Sequence, residues 1–198
     1  AQLTTTLLFA LFGAWVVARG VSWTLAGDGL TNTYARSAVF GATVFVAWAI
    51  RGIVAKWLVI GRATPTHFRV WGAGHYRFGG GRVLVRSYPL RVFAGTPLFN
   101  WYLRALGADI GRGVLILSRA VPVHTDLLRV GDRTVIRKDS MFSCYRAQAG
   151  WIQTGPVTLG DDVVVGDTTT LDIYTSLGDG AQLGHSSTLE AGQSVPAG

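Results

Sequence analysis

The sequence predicts an all-β left-handed parallel β-helix built from hexapeptide repeats, preceded by transmembrane and amphipathic α-helices. Three observations carry this. Seven aliphatic residues recur every six positions: Leu159, Val165, Leu171, Leu177, Leu183, Leu189 and Val195. Two apolar stretches near the N-terminus reach membrane-spanning length once their flanks are added. The charge changes sign where the repeats begin: residues 1–108 hold eleven Arg and Lys against one acid, Asp28, and residues 109–198 hold seven against ten.

The first stretch is the apolar run Leu7–Ala18, extended by Leu3–Thr6 and Val21–Leu25. Arg19 is costly there unless it faces other helices or snorkels. The second is Val39–Ile50, continued through Ile53–Ala55 and Trp57–Ile60, with Arg51, Lys56 and Arg62 at its C-terminal part and Trp48 and Trp57 suited to an interface. Residues 1–62 thus read as two transmembrane helices. The positive-inside rule then puts the following segment and the β-helix on the cytoplasmic side of a multi-pass cell-membrane protein.

Residues 63–108 read as basic amphipathic helices at the membrane surface. Seven arginines and no acid lie between Arg62 and Arg104. Their aromatic and aliphatic neighbours favour anionic lipid headgroups over nucleic acid as the partner. Gly79-Gly80-Gly81 breaks any continuous helix. Pro97–Leu106 is amphipathic, and Gly107 suits its C-cap.

Residues 109–198 form the β-helix. Each aliphatic residue fills the inside of a triangular coil, and alternation turns its i−2 neighbour inward too: Val157, Val163, Thr169, Thr175, Ala181 and Ser187. Glycine follows four of them, where it is expected to relax the backbone near a corner. Ile110, Ile116, Val130, Ile136 and Phe142 carry the pattern upstream. The spacing slips twice, so loops leave the coil at about Ser118–Leu128 and Cys144–Pro156, and about five coils fit at ~18 residues each. A solenoid end needs a cap, and the C-terminus shows none, so the chain reads as a unit of a longer polypeptide.

Further motifs resemble those of a known family. Gly95-Thr96-Pro97, Asn100-Trp101-Tyr102-Leu103-Arg104, Leu106-Gly107-Ala108 and Ile110-Gly111-Arg112-Gly113 are similar to the junction in the C-terminal membrane part of the ε-poly-L-lysine synthetase-like family. Gly155-Pro156-Val157, Leu177-Gly178-Asp179-Gly180 and Val195-Pro196-Ala197-Gly198 extend the resemblance over roughly residues 37–198. It implies one membrane-plus-β-helix unit of a membrane-bound non-ribosomal peptide synthetase. Such units join aminoacyl groups by amide or isopeptide bonds. The implied partners are sister β-helix units, an adenylation domain and a carrier domain whose phosphopantetheine thioester is the donor. No cofactor is expected to bind the unit directly. Some family units carry a His and an acidic pair where this chain has Tyr145 and no carboxylate, so Tyr145 is a candidate for the substrate-binding wall of a shared site.

Acyl transfer needs a base and oxyanion donors. His185 follows Leu183-Gly184 off the inward set, beside Ser186, and is a candidate base facing a groove between coils. His124 is the other candidate, with Asp126 two residues on as its orienting acid. His67 and His75 read as interfacial. Asp161, Asp162, Asp167, Asp172, Asp179 and Glu190 make the last coils acidic, either as a solvated face or to attract a cationic acceptor. Asp172 replaces a glycine of the repeat and is, with Ser186, a candidate substrate-binding residue. Cys144 is the single cysteine and reads as buried structure. No Walker loop, nucleophile elbow or paired metal-ligand motif is present. Two alternatives stay open: a non-catalytic scaffold unit packing with sister units, and a stand-alone homotrimeric hexapeptide acyltransferase.

Overall fold

A computed structural model describes residues 2–70, 72, 92–120 and 122–198. The chain divides into two compact units, Ala1–Trp48 and Ala49–Gly198. In the first, α1 (Gln2–Leu25) turns back through Gly29, at φ +83°, into α2 (Leu30–Ala55). Buried Gly20 leaves room for the Phe40 ring between the two helices. The Arg36 guanidinium donates to the Trp23 carbonyl at 3.1 Å and lies over its indole.

The multi-pass reading is corrected. Among the described residues one helix, Leu30–Leu58, is long and apolar enough to cross a membrane. In α1 the apolar run is held to Leu7–Ala18 by Thr4, Thr5 and Thr6 before it and by Arg19, Ser22 and Thr24 after it.

In the second unit α2 runs into a π-helical turn, Lys56–Ile60, closed by a Gly61 N–H to Lys56 carbonyl bond. Strand β1 (His67–Arg69) follows. The basic segment 73–91, with Gly79-Gly80-Gly81 and His75, lies outside the described residues. Helix α3 (Pro97–Ala105) has Pro at its start, and its end is closed by bonds from the Gly107 N–H to the Arg104 carbonyl and the Ala108 N–H to the Leu103 carbonyl.

The inner face of α3 packs on the coil, while Leu98 and Trp101 are exposed. Phe99, Tyr102, Leu103 and Leu106 are buried in the coil's own core. The helix closes the first rung, where the inward side chains would otherwise meet water, at ~1.5–3 kcal/mol per buried side chain. The Asn100 amide donates to the Val114 carbonyl at 2.7 Å and the Arg104 guanidinium to the Ile110 carbonyl at 2.9 Å, which fix the cap to the coil.

The coil is a parallel β-helix with three ladders. The first joins β2 (Asp109–Ile110), β4 (Leu128–Val130), β9 (Val157–Leu159), β12 (Thr175–Leu177) and β15 (Ser194–Val195). The second joins β3 (Leu115–Ile116), β5 (Val135–Ile136), β10 (Val164–Val165) and β13 (Gln182–Leu183). The third joins β6 (Met141–Phe142), β11 (Thr170–Leu171) and β14 (Thr188–Leu189). The repeat residues stack in register, Val130 on Leu159, Leu177 and Val195. Thr169 and Thr175 face inward as expected, each donating its hydroxyl to a carbonyl three residues back.

The two expected loops are present. The first contains a 3-10 turn, Thr125–Leu127. The second is an antiparallel hairpin, β7 (Tyr145–Gln148) and β8 (Trp151–Thr154), with β1 added to the edge of β8.

The glycines of the repeat have a different role from the expected one. Left-handed backbone occurs two residues later, at Gly113, Arg133, Asp162, Thr168, Gly180 and Ser186. Gly131, Gly166 and Gly178 stand instead where neighbouring rungs touch: a Cβ on Gly166 would lie 2.6 Å from the Gly184 carbonyl carbon, and one on Gly178 2.5 Å from the Ala197 nitrogen.

Candidate functional site

At two corners of the coil, side chains two residues past the inward aliphatic stack into columns. In one, each carboxylate accepts a backbone N–H from the rung before: Asp132 from Arg112, Asp161 from Asp132 and Asp179 from Asp161, at 2.7–2.8 Å. Part of the acidity of the last coils is therefore structural. Corner amides turned outward by the left-handed step need an acceptor, and aspartate supplies one.

The other corner carries Lys138, Asp167 and His185 in equivalent places. The Asp167 carboxylate accepts the Lys138 N–H at 3.0 Å, and His185 Nδ1 stands 3.1 Å from the Asp167 N–H. His185 takes the place that aspartate holds in the first column. Its Nδ1 is also 3.0 Å from Asp167 Oδ2, and its Nε2 is 3.5 Å from Arg137 Nη1. A neutral ring satisfies one set or the other. With the proton on Nε2, Nδ1 accepts the backbone amide. With the proton on Nδ1, the ring donates to Asp167 and leaves the Nε2 lone pair outward, toward Arg137. The His185 side chain is 59% exposed, as its place off the inward set predicts.

Ser186 lies beside it at φ +54°, its hydroxyl 2.9 Å from that of Thr168. On the same corner, nearer the first rung, a polar cleft of about 250 Å³ is lined by Leu117, Arg119, Lys138 and Asp139.

His124 and Asp126 belong to a different place, under α3. His124 is buried, and Asp126 binds elsewhere: Oδ1 accepts from Lys56 Nζ at 2.8 Å and Oδ2 from the Ala63 N–H at 3.1 Å. Lys56 is fully buried and its ammonium lies 3.6 Å from the Trp57 ring centroid. The sequence reading placed Lys56 among juxtamembrane charges, because nothing local marks a buried lysine. The Thr125 hydroxyl closes the cluster on the Leu106 carbonyl.

Burial holds His124 below the ordinary histidine value of 6.5; Asp126 opposes this and Lys56 adds to it. The unfolded chain therefore takes up the proton first, so His124 makes the fold more sensitive to acid. Stability is complete above about pH 6.5 and declines as pH falls below it toward the lowered folded value. His124→Gln is expected to flatten the fall in melting temperature between about pH 7.5 and about pH 5.5, read by thermal unfolding across that range.

Of the other candidates, Asp172 accepts the Ile173 N–H at 2.8 Å and stands 3.6 Å from Arg146, at the base of the hairpin. Tyr145 is half-buried against the hairpin's inner cluster. The structure thus brings His185 and Ser186 together with Asp167, and leaves Asp172, Tyr145 and the His124–Asp126 segment apart from them. Cys144 is buried and its thiol is pushed up to about 12 by desolvation, so it is no nucleophile near neutral pH. Asp167 was seen only as one of several acids. Its signal was its place on the rung below His185, eighteen residues earlier.

Three parallel ladders with a six-residue rung and stacked polar corners give a hexapeptide-repeat-like β-helix fold. No family model matches the chain. It is distantly related to a poly-amino-acid synthetase, with 27% identity over 146 residues to the delta-poly-L-ornithine synthetase of Acinetobacter baumannii. That match covers 72% of this chain, which spans about a ninth (11%) of the relative. Among solved structures, a hexapeptide-repeat-containing acetyltransferase from Vibrio cholerae has a TM-score of 0.42 and 16% identity, covering 55% of this chain and 78% of its own. The Neisseria gonorrhoeae serine acetyltransferase, in complex with serine, has 0.36 and 12%, covering 84% and 70%.

Proposed function

We propose that this chain is one β-helix unit of a membrane-bound poly-amino-acid synthetase of the non-ribosomal peptide type. In it, an aminoacyl group passes from a carrier-bound phosphopantetheine thioester to an amine. The synthetase relative supports the reaction class, and the six-residue rung supports a left-handed coil. Sister units and an adenylation–carrier pair on the same polypeptide are the partners this reading requires.

The observation that carries the assignment of a base is the exposed Asp167–His185 pair. The amine attacks the thioester carbonyl, a C–N bond forms, the C–S bond breaks, and the thiol leaves. His185, with Nδ1–H held on Asp167, accepts the amine's proton at Nε2 and returns it to the departing sulfur.

A scaffold role is the second reading, favoured by the ladder position of His185. Asparagine separates the two, because its carboxamide oxygen can accept the Asp167 N–H and cannot act as the base. In the full-length synthetase, His185→Asn is expected to leave the melting temperature unchanged and to slow amide formation about a hundredfold or more, measured by mass spectrometry of the product. Amide formation at the parent rate would remove His185 from the chemistry and leave a scaffold.

A further inference from the structure

The hairpin inserted in the coil offers a surface that the transfer reaction does not use. Alternation in the β1–β8–β7 sheet turns Phe68 and Ile152 inward and sets His67, Gln153 and Arg146 in one outward row, with Arg69, Trp151 and Gln148 in the next. All six are exposed and none is acidic. Asp172 meets this face only at its margin, 3.6 Å from Arg146. Trp151 is the largest apolar group in the grid and is 42% exposed, with the Arg69 guanidinium 5.2 Å from its ring centroid and His67 at 6.0 Å.

The sheet also stands at the end of the one described helix long and apolar enough to cross a membrane. Ile60, which ends the π-helical turn after that helix, packs with Phe68 on the sheet's inner side. Exposed Trp57 and Arg62 lie beside the same helix end. An amphipathic indole beside arginines, with the Asp172 carboxylate at the margin, is the chemistry of the headgroup layer.

We infer that the outer face of the β1–β8–β7 sheet docks on an anionic lipid bilayer, with Trp151 among the headgroups and Arg69 and Arg146 on lipid phosphates. This stands independently of the proposed transfer reaction. An acidic protein would meet the same charges, but it would not account for the half-exposed Trp151 indole on the middle strand of the sheet.

The test reconstitutes the full-length protein in vesicles of phosphatidylcholine alone or enriched in phosphatidylglycerol, each with and without bromine on the acyl chains. Subtracting the Trp151→Phe variant isolates Trp151 fluorescence. The expected result is quenching of Trp151 by brominated lipid in the phosphatidylglycerol vesicles. It should be lost at high salt and in the Arg69→Gln, Arg146→Gln double variant. The salt titration uses the parent protein, so the inference stays testable if the double variant misfolds. Unquenched Trp151 in every vesicle would overturn the inference, as would equal quenching in phosphatidylcholine alone. Shielding of Trp151 from iodide that requires a carrier domain and not lipid would assign the surface to a protein instead.

Discussion

Replacing Lys56 with methionine is expected to destabilise the second unit by about 3–5 kcal/mol, because a carboxylate is left without its cation in a largely dry site. Methionine keeps most of the volume of the stem, so packing changes little and the loss reports the charge. Asp126 is 12% exposed and its cation is the fully buried ammonium 2.8 Å away. For a unit of this size the melting temperature should drop by roughly 10 °C. Asp126→Leu should cost a similar amount by stranding Lys56 instead. The double variant, Lys56→Met with Asp126→Leu, should recover most of the loss and leave a residual of about 1–2 kcal/mol for the Ala63 N–H that loses its acceptor. Calorimetry on the four proteins closes the cycle. A Lys56→Met melt equal to that of the parent would mean that water reaches the pair and the site is not dry.

The same pair shows where sequence reasoning stops. A lysine at the end of an apolar run looks like a charge snorkelling to an interface. Its partner is 70 residues away in a loop of the first coil, and no local pattern links them. The cover of the amphipathic helix Pro97–Ala105 is illegible for a related reason: periodicity reports an apolar face without reporting what covers it. Here the cover is the coil's own first rung. The coil itself was legible because its period repeats without interruption from Leu159 to Val195, and every aliphatic residue in that register pairs with its equivalent eighteen positions away. The insertion at Cys144–Pro156 was legible as a gap in that period. Its form as a hairpin joined by β1 was not, since the Thr66–Thr154 contacts that seal the joint span 88 residues.

The candidate base was only half legible. That His185 faces outward follows from the alternation, and the structure agrees. Its second role as an acceptor in a corner column depends on which residue stands on the rung below, and becomes evident only once the rungs are stacked. The ladder needs Nδ1 unprotonated, and the base needs it protonated with Nε2 free to accept. The tautomer of His185 therefore decides between a ladder that holds the corner and a base that can take a proton. Asp167 supplies both the amide that favours the first state and the carboxylate that favours the second. Arg137, a donor 3.5 Å from Nε2, also favours the second state, and a substrate amine has to displace it to reach that nitrogen.

Among single substitutions in the coil, Gly131→Ala should be one of the most damaging, at about 3 kcal/mol. The added methyl would stand 2.5 Å from both the carbonyl carbon and the carbonyl oxygen of Gly160 on the next rung. That obstacle is backbone held in a ladder, so it cannot rotate away as a side chain would. The rungs would have to part locally, weakening the bond from the Gly131 N–H to the Leu159 carbonyl, now 2.9 Å. Gly184 occupies the equivalent repeat position at another corner, yet its nearest neighbour would be Ser187 Oγ at 3.6 Å, so Gly184→Ala should cost little. Gly192 has open space around it but φ +82°, so alanine there should cost an intermediate ~1–2 kcal/mol from backbone strain alone. Thermal unfolding of the three variants thus ranks two separate causes, close approach and handedness. If Gly131→Ala and Gly184→Ala melted together, the repeat glycines would be serving chain flexibility and not the approach of one rung to the next.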